Sequence, residues 1–327
     1  MDKYLIVTGA NGYLGKYVCL EALNSGYKII ALKYNHYRST ILNHPDIQYV
    51  YADITSDMCN HNELKSAIEG KNITGIVNAA ALLGSSDYDK NYAVNAEGVK
   101  NVIDFAQAHK INKVVQISSV VVMKKIKGPY GVTKLKGQEI LEQSDINYTT
   151  FIPAMILGPE SLGINRVLKN VFRFPMLIPL IGSGKQTQHP IYVKDFAHYI
   201  VKSVENENTT KKTYQIASES VIPFKELIKL ILKIRNKKKM FVPVPVFIAK
   251  LLGKFFQAVQ KVPVFTAEHV KGVLQDSKLD TSMLKQDLDF KPTPLEIALT
   301  ETLKEIGTSW SEYLVSREEI TIDLKKN

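Results

Sequence analysis

The chain is 327 residues long, 45% hydrophobic and 23% charged, with no low-complexity tract and no repeat of solenoid period, which excludes a disordered or repeat architecture and leaves room for one composite core. Its formal charge of +10 suits an acidic ligand, but the carriers are spread along the chain, so charge alone does not choose among nucleotide, nucleic acid and lipid headgroup. Cys19 and Cys59 make no CxxC pair and the seven histidines no HExxH spacing, which argues against a disulfide framework and against a metal site, and fits a reducing cytoplasm.

The opening "MDKYLIV" is too short before its first glycine to be a signal-peptide core. "KYLIVTG" reads instead as a first strand, "KYVCLEALNSG" as a helix ending at Gly26, and "YKIIALKY" as a second strand. "IQYVYAD", "GIVNAAA" and "KVVQISSVVV" follow as strands three to five, with "EGVKNVIDFAQAHK" a helix between the last two and "YTTFIPAMILG" a sixth strand. Strands alternating with amphipathic helices predict an α/β fold with a doubly wound parallel sheet of Rossmann type over residues 1–157, completed by elements returning from later segments. Residues 158–327 read as a smaller substrate-binding cap with C-terminal helices: prolines cluster in "RFPMLIPLIGSGKQTQHPIY", and "FKELIKLILKIRNKKK" and "PLEIALTETLKEI" are helical. The basic "KIRNKKK" lacks interleaved aromatics and reads as a solvated helix end rather than a nucleic-acid site. "VPVPVFIAKLLGKFFQAVQ" comes nearest to a membrane span, but Lys250 and Lys254 interrupt it, leaving a helix packed on the core, with a membrane-surface helix as the alternative. The tail "SREEITIDLKKN" is too polar and short to assign.

"VTGANGYLGKYV" runs from strand to helix through Gly9, Gly12 and Gly15. In that arrangement backbone N–H groups and the helix dipole face a pyrophosphate: Gly9 permits the tight turn, Gly12 the close approach, and Gly15 the packing of helix on strand. Further on, Tyr130 and Lys134 are four residues apart at the start of a predicted helix, so one face carries both, and a neighbouring ammonium favours a phenolate. Together "TGANGYLG", "ADIT" at Ala52, "NAAA" at Asn78, "VNAEGVKNV", "ISSVVV", "PYGVTK", "GSGKQTQHPIYVKDFA" and "LDTSMLKQDLDFKPTPLEIAL" occur in an order that resembles the extended branch of the short-chain dehydrogenase/reductase superfamily, the NAD-dependent epimerase/dehydratase-like enzymes. The resemblance covers nearly the whole chain.

That resemblance implies NADP or NAD as cofactor, held by Gly9, Asn11, Gly12, Tyr13, Leu14 and Gly15, by Asp53 and Ile54 at the adenine, and by Ala79, Ala80, Ala81, Asn95, Ser118, Tyr130, Lys134 and Pro153. It implies Ser119 as the holder of the substrate oxygen, with Ser118 as competitor, Tyr130 as proton carrier, and Lys134 as binder of the nicotinamide ribose and tuner of Tyr130. Two departures matter. The second strand ends "ALKYNHYRS" without the acid expected for NAD, and Lys33 and Arg38 either meet a 2′-phosphate, a modest preference for NADP, or are surface cations. Gln188 stands where nucleotide-sugar members carry an arginine, with Lys185 and His189 as substitutes or as plain loop polarity. Asp195 reads as the cap of the helix that follows it. The leading expectation is an oxidoreductase or epimerase acting on a nucleotide-linked sugar. A reductase of a hydrophobic ketone and a non-catalytic dinucleotide-binding scaffold are the alternatives. The expected partners are an anionic small-molecule substrate and a second copy in a homodimer, with no nucleic acid.

Overall fold

Strand runs such as Leu5–Val7 and Ile29–Leu32 are apolar on both faces, and such strands are stable only between two helical layers. The computed structural model, which describes residues 1–34, 39–249, 251, 274–308 and 319–324, has that arrangement. Seven parallel strands, β1 (Lys3–Thr8), β2 (Lys28–Lys33), β3 (Ile47–Tyr51), β4 (Asn72–Asn78), β5 (Lys113–Ile117), β6 (Asn147–Pro153) and β7 (Lys212–Ile216), form one sheet in the order β7-β6-β5-β4-β1-β2-β3. Helices among the described residues include α1 (Tyr13–Asn24), α2 (Asn62–Ile68), α3 (Tyr88–Tyr92), α4 (Gly98–Ala108), α5 (Gly128–Glu142), α6 (Leu162–Phe172), α7 (Val193–Lys202), α8 (Phe224–Ile234), α9 (Ser282–Leu288) and α10 (Leu295–Ile306).

Alternation along the strands divides the core in two. Leu5, Val7, Ile29, Ala31, Val77 and Val115 join the cluster that holds Val18 and Ala22 of α1 and Phe196 and Ile200 of α7. Ile6, Ile30, Leu32, Ile76 and Val114 join the one that holds Leu64 of α2, Val102 and Phe105 of α4 and Leu141 of α5. The sheet is therefore doubly wound, and its strands all deliver their C-terminal ends to one edge, where open α/β sheets bind ligands.

Several elements differ from their sequence reading. β5 stops at Ile117, and "SSVVV" leaves the sheet through a 3-10 turn over Val120–Met123 that Ser119 caps. β6 stops at Pro153, which has no N–H to extend a ladder; Ile156–Leu157 pairs with Ile191–Tyr192 instead. Asp195 does not cap α7, which begins two residues earlier; its carboxylate accepts from the Thr293 amide at 2.6 Å and hydroxyl at 2.8 Å, tying α7 to the segment before α10. The basic run starts in the last turn of α8 and continues beyond it, where Arg235 donates to the Leu303 carbonyl and Lys239 to those of Val171 and Phe174. Part of the tail, Ile320–Asp323, is a strand parallel to Thr40–Asn43. Much of "VPVPVFIAKLLGKFFQAVQ" lies outside the described residues, among which no helix is long and apolar enough to cross a membrane.

Phe151 is fully buried between Phe196 and Tyr214, its ring 6.0 and 5.8 Å from theirs, whereas Val132 on α5 is 44% exposed. Phe151→Ala is expected to cost about 3–5 kcal/mol and Val132→Ala less than about 0.5 kcal/mol in urea denaturation. Equal costs would contradict this core assignment.

Candidate active site at the strand C-termini

The β1–α1 turn is shaped by contacts that leave no room for side chains. Gly9 has φ +61°, and a Cβ there would come within 3.0 Å of the Ala80 Cα at the end of β4. A Cβ on Gly15 would stand 2.1 Å from the Gly9 carbonyl, so α1 rests directly on the turn. Gly12 forms the N-cap of α1 with no side chain satisfying the first amides, and no acidic residue lies in the first turn. Free amides at a helix N-terminus make an anion site. Asn11, buried to 1%, donates to the Tyr34 carbonyl at 2.8 Å and the Ser39 hydroxyl at 2.7 Å, while its Oδ1 is buried without a partner. This cradle of free amides fits a dinucleotide pyrophosphate, while the orphaned Asn11 Oδ1 is an acceptor suited to a donor such as a hydroxyl.

The other sequence-derived positions fall around the same edge, in different roles. Ala79 and Ala80 are half-buried above Gly9, and Ala81 is exposed. Leu14 packs on the core, and the Tyr13 hydroxyl is buried against Gly158 without a partner, so Tyr13 can offer the turn its amide rather than its side chain. Asp53, half-buried after β3, accepts from the Thr55 amide at 2.9 Å; Ile54 is buried against Gly98, and its carbonyl accepts from Asn101 at 2.8 Å. Asn95 lies in a π-helical turn over Ala93–Glu97, a feature that often marks functional sites. Its side chain accepts from the Leu82 amide and donates to Asn91 and Thr133, fixing the loop after β4 to α5. Pro153 is buried at the end of β6. Lys33 is not a free cation: its ammonium is 3.6 Å from the Glu319 carboxylate. Arg38 lies outside the described residues.

α5 presents Tyr130 and Lys134 on one side, beside the 3-10 turn that Ser119 opens. Ser118 is withdrawn from the competition, because its buried hydroxyl donates to Gln138 at 2.9 Å. The Lys134 ammonium, 3% exposed, donates to the Ile117 carbonyl at 2.6 Å and has no carboxylate partner among the described residues. An ammonium has three donors, so others remain for a ribose. Burial lowers the Lys134 amine to about 8 and pushes the Tyr130 phenol up to about 12, with the neighbouring Ser119 hydroxyl partly offsetting the latter. The expected depression of the tyrosine by its lysine companion is not seen: burial raises the phenol, and Ser119 alone opposes it.

On the cap side the three predicted substrate residues part company. Lys185 is exposed, and Gln188 is half-buried in a short strand paired with Ile222–Pro223. His189 is buried with both ring nitrogens on backbone, 2.7 Å from the Ser218 carbonyl and accepting from the Leu279 amide at 3.0 Å, so it pins these two segments together. Burial also lowers its pKa.

Sequence reasoning missed a line of buried polar contacts beneath the site. The Ala80 amide donates to Thr8, Thr8 to Asn78 at 2.6 Å, Asn78 to Gln116 at 2.8 Å, and Gln116 to the same Ile117 carbonyl that holds Lys134. It also missed Gly137, where a Cβ would meet the Asn95 carbonyl at 2.0 Å. The available signal was polar residues in otherwise apolar strands.

The sequence model of the NAD dependent epimerase/dehydratase family matches residues 5–217. The chain is 24% identical over 255 residues to the photosystem II assembly factor Ycf39 of Trieres chinensis, covering 77% of this chain and 75% of that one. It is also 24% identical over 255 residues to the 2-alkyl-3-oxoalkanoate reductase of Stenotrophomonas maltophilia, covering 70% and 74%. The fold is similar to that of the Bordetella bronchiseptica enzyme WbmH, solved in complex with NAD+, at a TM-score of 0.71 and 19% identity, covering 94% of this chain and 100% of that one.

Gly9→Ala is expected to weaken dinucleotide binding at least about 10-fold, since the new methyl needs both a disfavoured φ and space held by Ala80; unchanged affinity by calorimetry would contradict the cradle. For Lys134, whose amine is about 8 when folded and near 10.5 when unfolded, the unfolded chain binds more protons between those values, so stability rises with pH there. Lys113, also lowered to about 8 by burial, adds to the rise, while tyrosines such as Tyr130 oppose it above about pH 10. Lys134→Met is expected to flatten the increase in urea midpoint from about pH 8 to 10. A slope equal to that of wild type would contradict the buried ammonium.

Proposed function

The chain belongs to the NAD dependent epimerase/dehydratase family, and from that premise we propose that it is an NAD(P)-dependent oxidoreductase or epimerase acting at a carbinol or carbonyl of an anionic small molecule, with a nucleotide-linked sugar as the leading substrate. The observation that carries this reading is Tyr130 and buried Lys134 on one side of α5, beside Ser119 and at the same sheet edge as the Gly9–Gly15 cradle. A nicotinamide dinucleotide bound there supplies the hydride donor or acceptor.

The chain's own residues do the rest. Amides of the glycine turn bind and orient the pyrophosphate, and Lys134 offers its spare donors to the ribose. The Ser119 hydroxyl holds the substrate oxygen, and Tyr130 passes a proton to or from that oxygen. With its phenol at about 12, Tyr130 is protonated at neutral pH, a resting state suited to delivering a proton as a carbonyl is reduced.

A reductase of a hydrophobic ketone is the second reading. It is favoured by His189 being committed to backbone, which removes one of the side chains suited to a diphosphate, and by the similarity to a reductase of alkyl oxoalkanoates. Nucleotide sugars and lipophilic keto acids, screened with NADH and NADPH, separate the two. Tyr130→Phe is expected to lower turnover at least about 100-fold on the accepted substrate with dinucleotide affinity unchanged. Turnover at the wild-type rate would refute the assigned role, and a purified chain that binds dinucleotide but turns over neither class would favour a scaffold.

A further inference from the structure

At the C-terminal end of β2, where members of this fold place the acid that accepts the adenosine ribose hydroxyls, the chain has Lys33. A carboxylate nevertheless reaches that end, and it comes from the other end of the sequence. The strand Ile320–Asp323 lies parallel to Thr40–Asn43, with the Ile320 amide donating to the Ser39 carbonyl at 3.1 Å, the Leu324 amide to the Asn43 carbonyl at 3.0 Å, and the Asn43 amide group to Asp323 at 2.7 Å. This ladder delivers Glu319 to the glycine turn. Ser39 donates to Glu319 Oε2 at 2.7 Å, Lys33 Nζ is 3.6 Å from Oε1, and Asn11 of the turn donates to the same Ser39 hydroxyl at 2.7 Å. The Glu319 side chain remains 40% exposed, and the Asn11 Oδ1 beside this group is buried without a partner, so acceptor capacity at the turn is not used up among the described residues.

We propose that Glu319 supplies from the C-terminal strand the carboxylate that β2 lacks, so that the chain accepts the ribose hydroxyls of NAD(H) and disfavours the 2′-phosphate of NADP(H). The inference rests on the dinucleotide reading above and reverses the modest NADP preference suggested by Lys33 and Arg38. A phosphate dianion meets Lys33 only by displacing or approaching Glu319, whose charge already offsets the ammonium. A ribose 2′-hydroxyl meets an ionised acceptor, and hydrogen bonds to charged groups are the stronger kind.

Calorimetric or fluorescence titration of NADH and NADPH into the full chain and its Glu319→Gln variant tests this. Wild type is expected to bind NADH at least about 10-fold more tightly than NADPH, and the variant to narrow that ratio at least about 10-fold, chiefly through weaker NADH binding. Retained NADPH binding by the variant shows that it is folded. Tighter NADPH binding by wild type, or a ratio unmoved by the substitution, overturns the inference and leaves the dinucleotide reading standing. Binding of neither dinucleotide by wild type overturns both.

Discussion

The Ile117 carbonyl receives two donors, the Gln116 side chain at 3.2 Å and the Lys134 ammonium at 2.6 Å, and the rest of the site is arranged around that acceptor. Thr8, Asn78 and Gln116 are 0%, 0% and 2% exposed, and buried polar groups of this kind must all be satisfied or each becomes costly. Thr8–Asn78 ties β1 to β4 and Asn78–Gln116 ties β4 to β5, so the line fixes the register of these three strands at their C-terminal ends. The glycine turn on β1 and the amine on α5 are thereby held to one another through hydrogen bonds rather than through loops.

Desolvation sets the electrostatics. It drives Lys134 down and Tyr130 up, both toward neutrality, and the described residues bring no carboxylate to either. By the glycine turn, in contrast, Lys16 pairs with Glu160 at 2.6 Å, and at the end of β2 Lys33 lies 3.6 Å from Glu319. Charge is thus compensated beside the glycine turn and left uncompensated around Tyr130 and Lys134.

The sheet was legible because its strands are apolar on both faces and its helices amphipathic, and the period of that pattern is a local property. The glycine turn and the Tyr130–Lys134 pair were legible for the same reason: each is a short spacing between neighbours. What the spacing could not show is what a side chain meets across the fold. His189, a substitute for the arginine or plain loop polarity by its spacing, is locked on backbone; Ser118, the competitor of Ser119, faces Gln138 while Ser119 caps the 3-10 turn. Asp195 looked like a cap and binds Thr293, and the polar tail that resisted assignment pairs with Thr40–Asn43, because its partners are supplied by distant segments.

Ser39 and Glu319 are 280 positions apart, so the rim beside Asn11 joins segments from opposite extremes of the chain. During vectorial synthesis the β1–α1 turn emerges early, yet that rim stays incomplete until the ribosome has released residue 319. Loop-closure entropy also places this pairing among the slowest contacts to form. A nascent chain would therefore complete the β1–α1 turn well before the rim that Glu319 closes beside it.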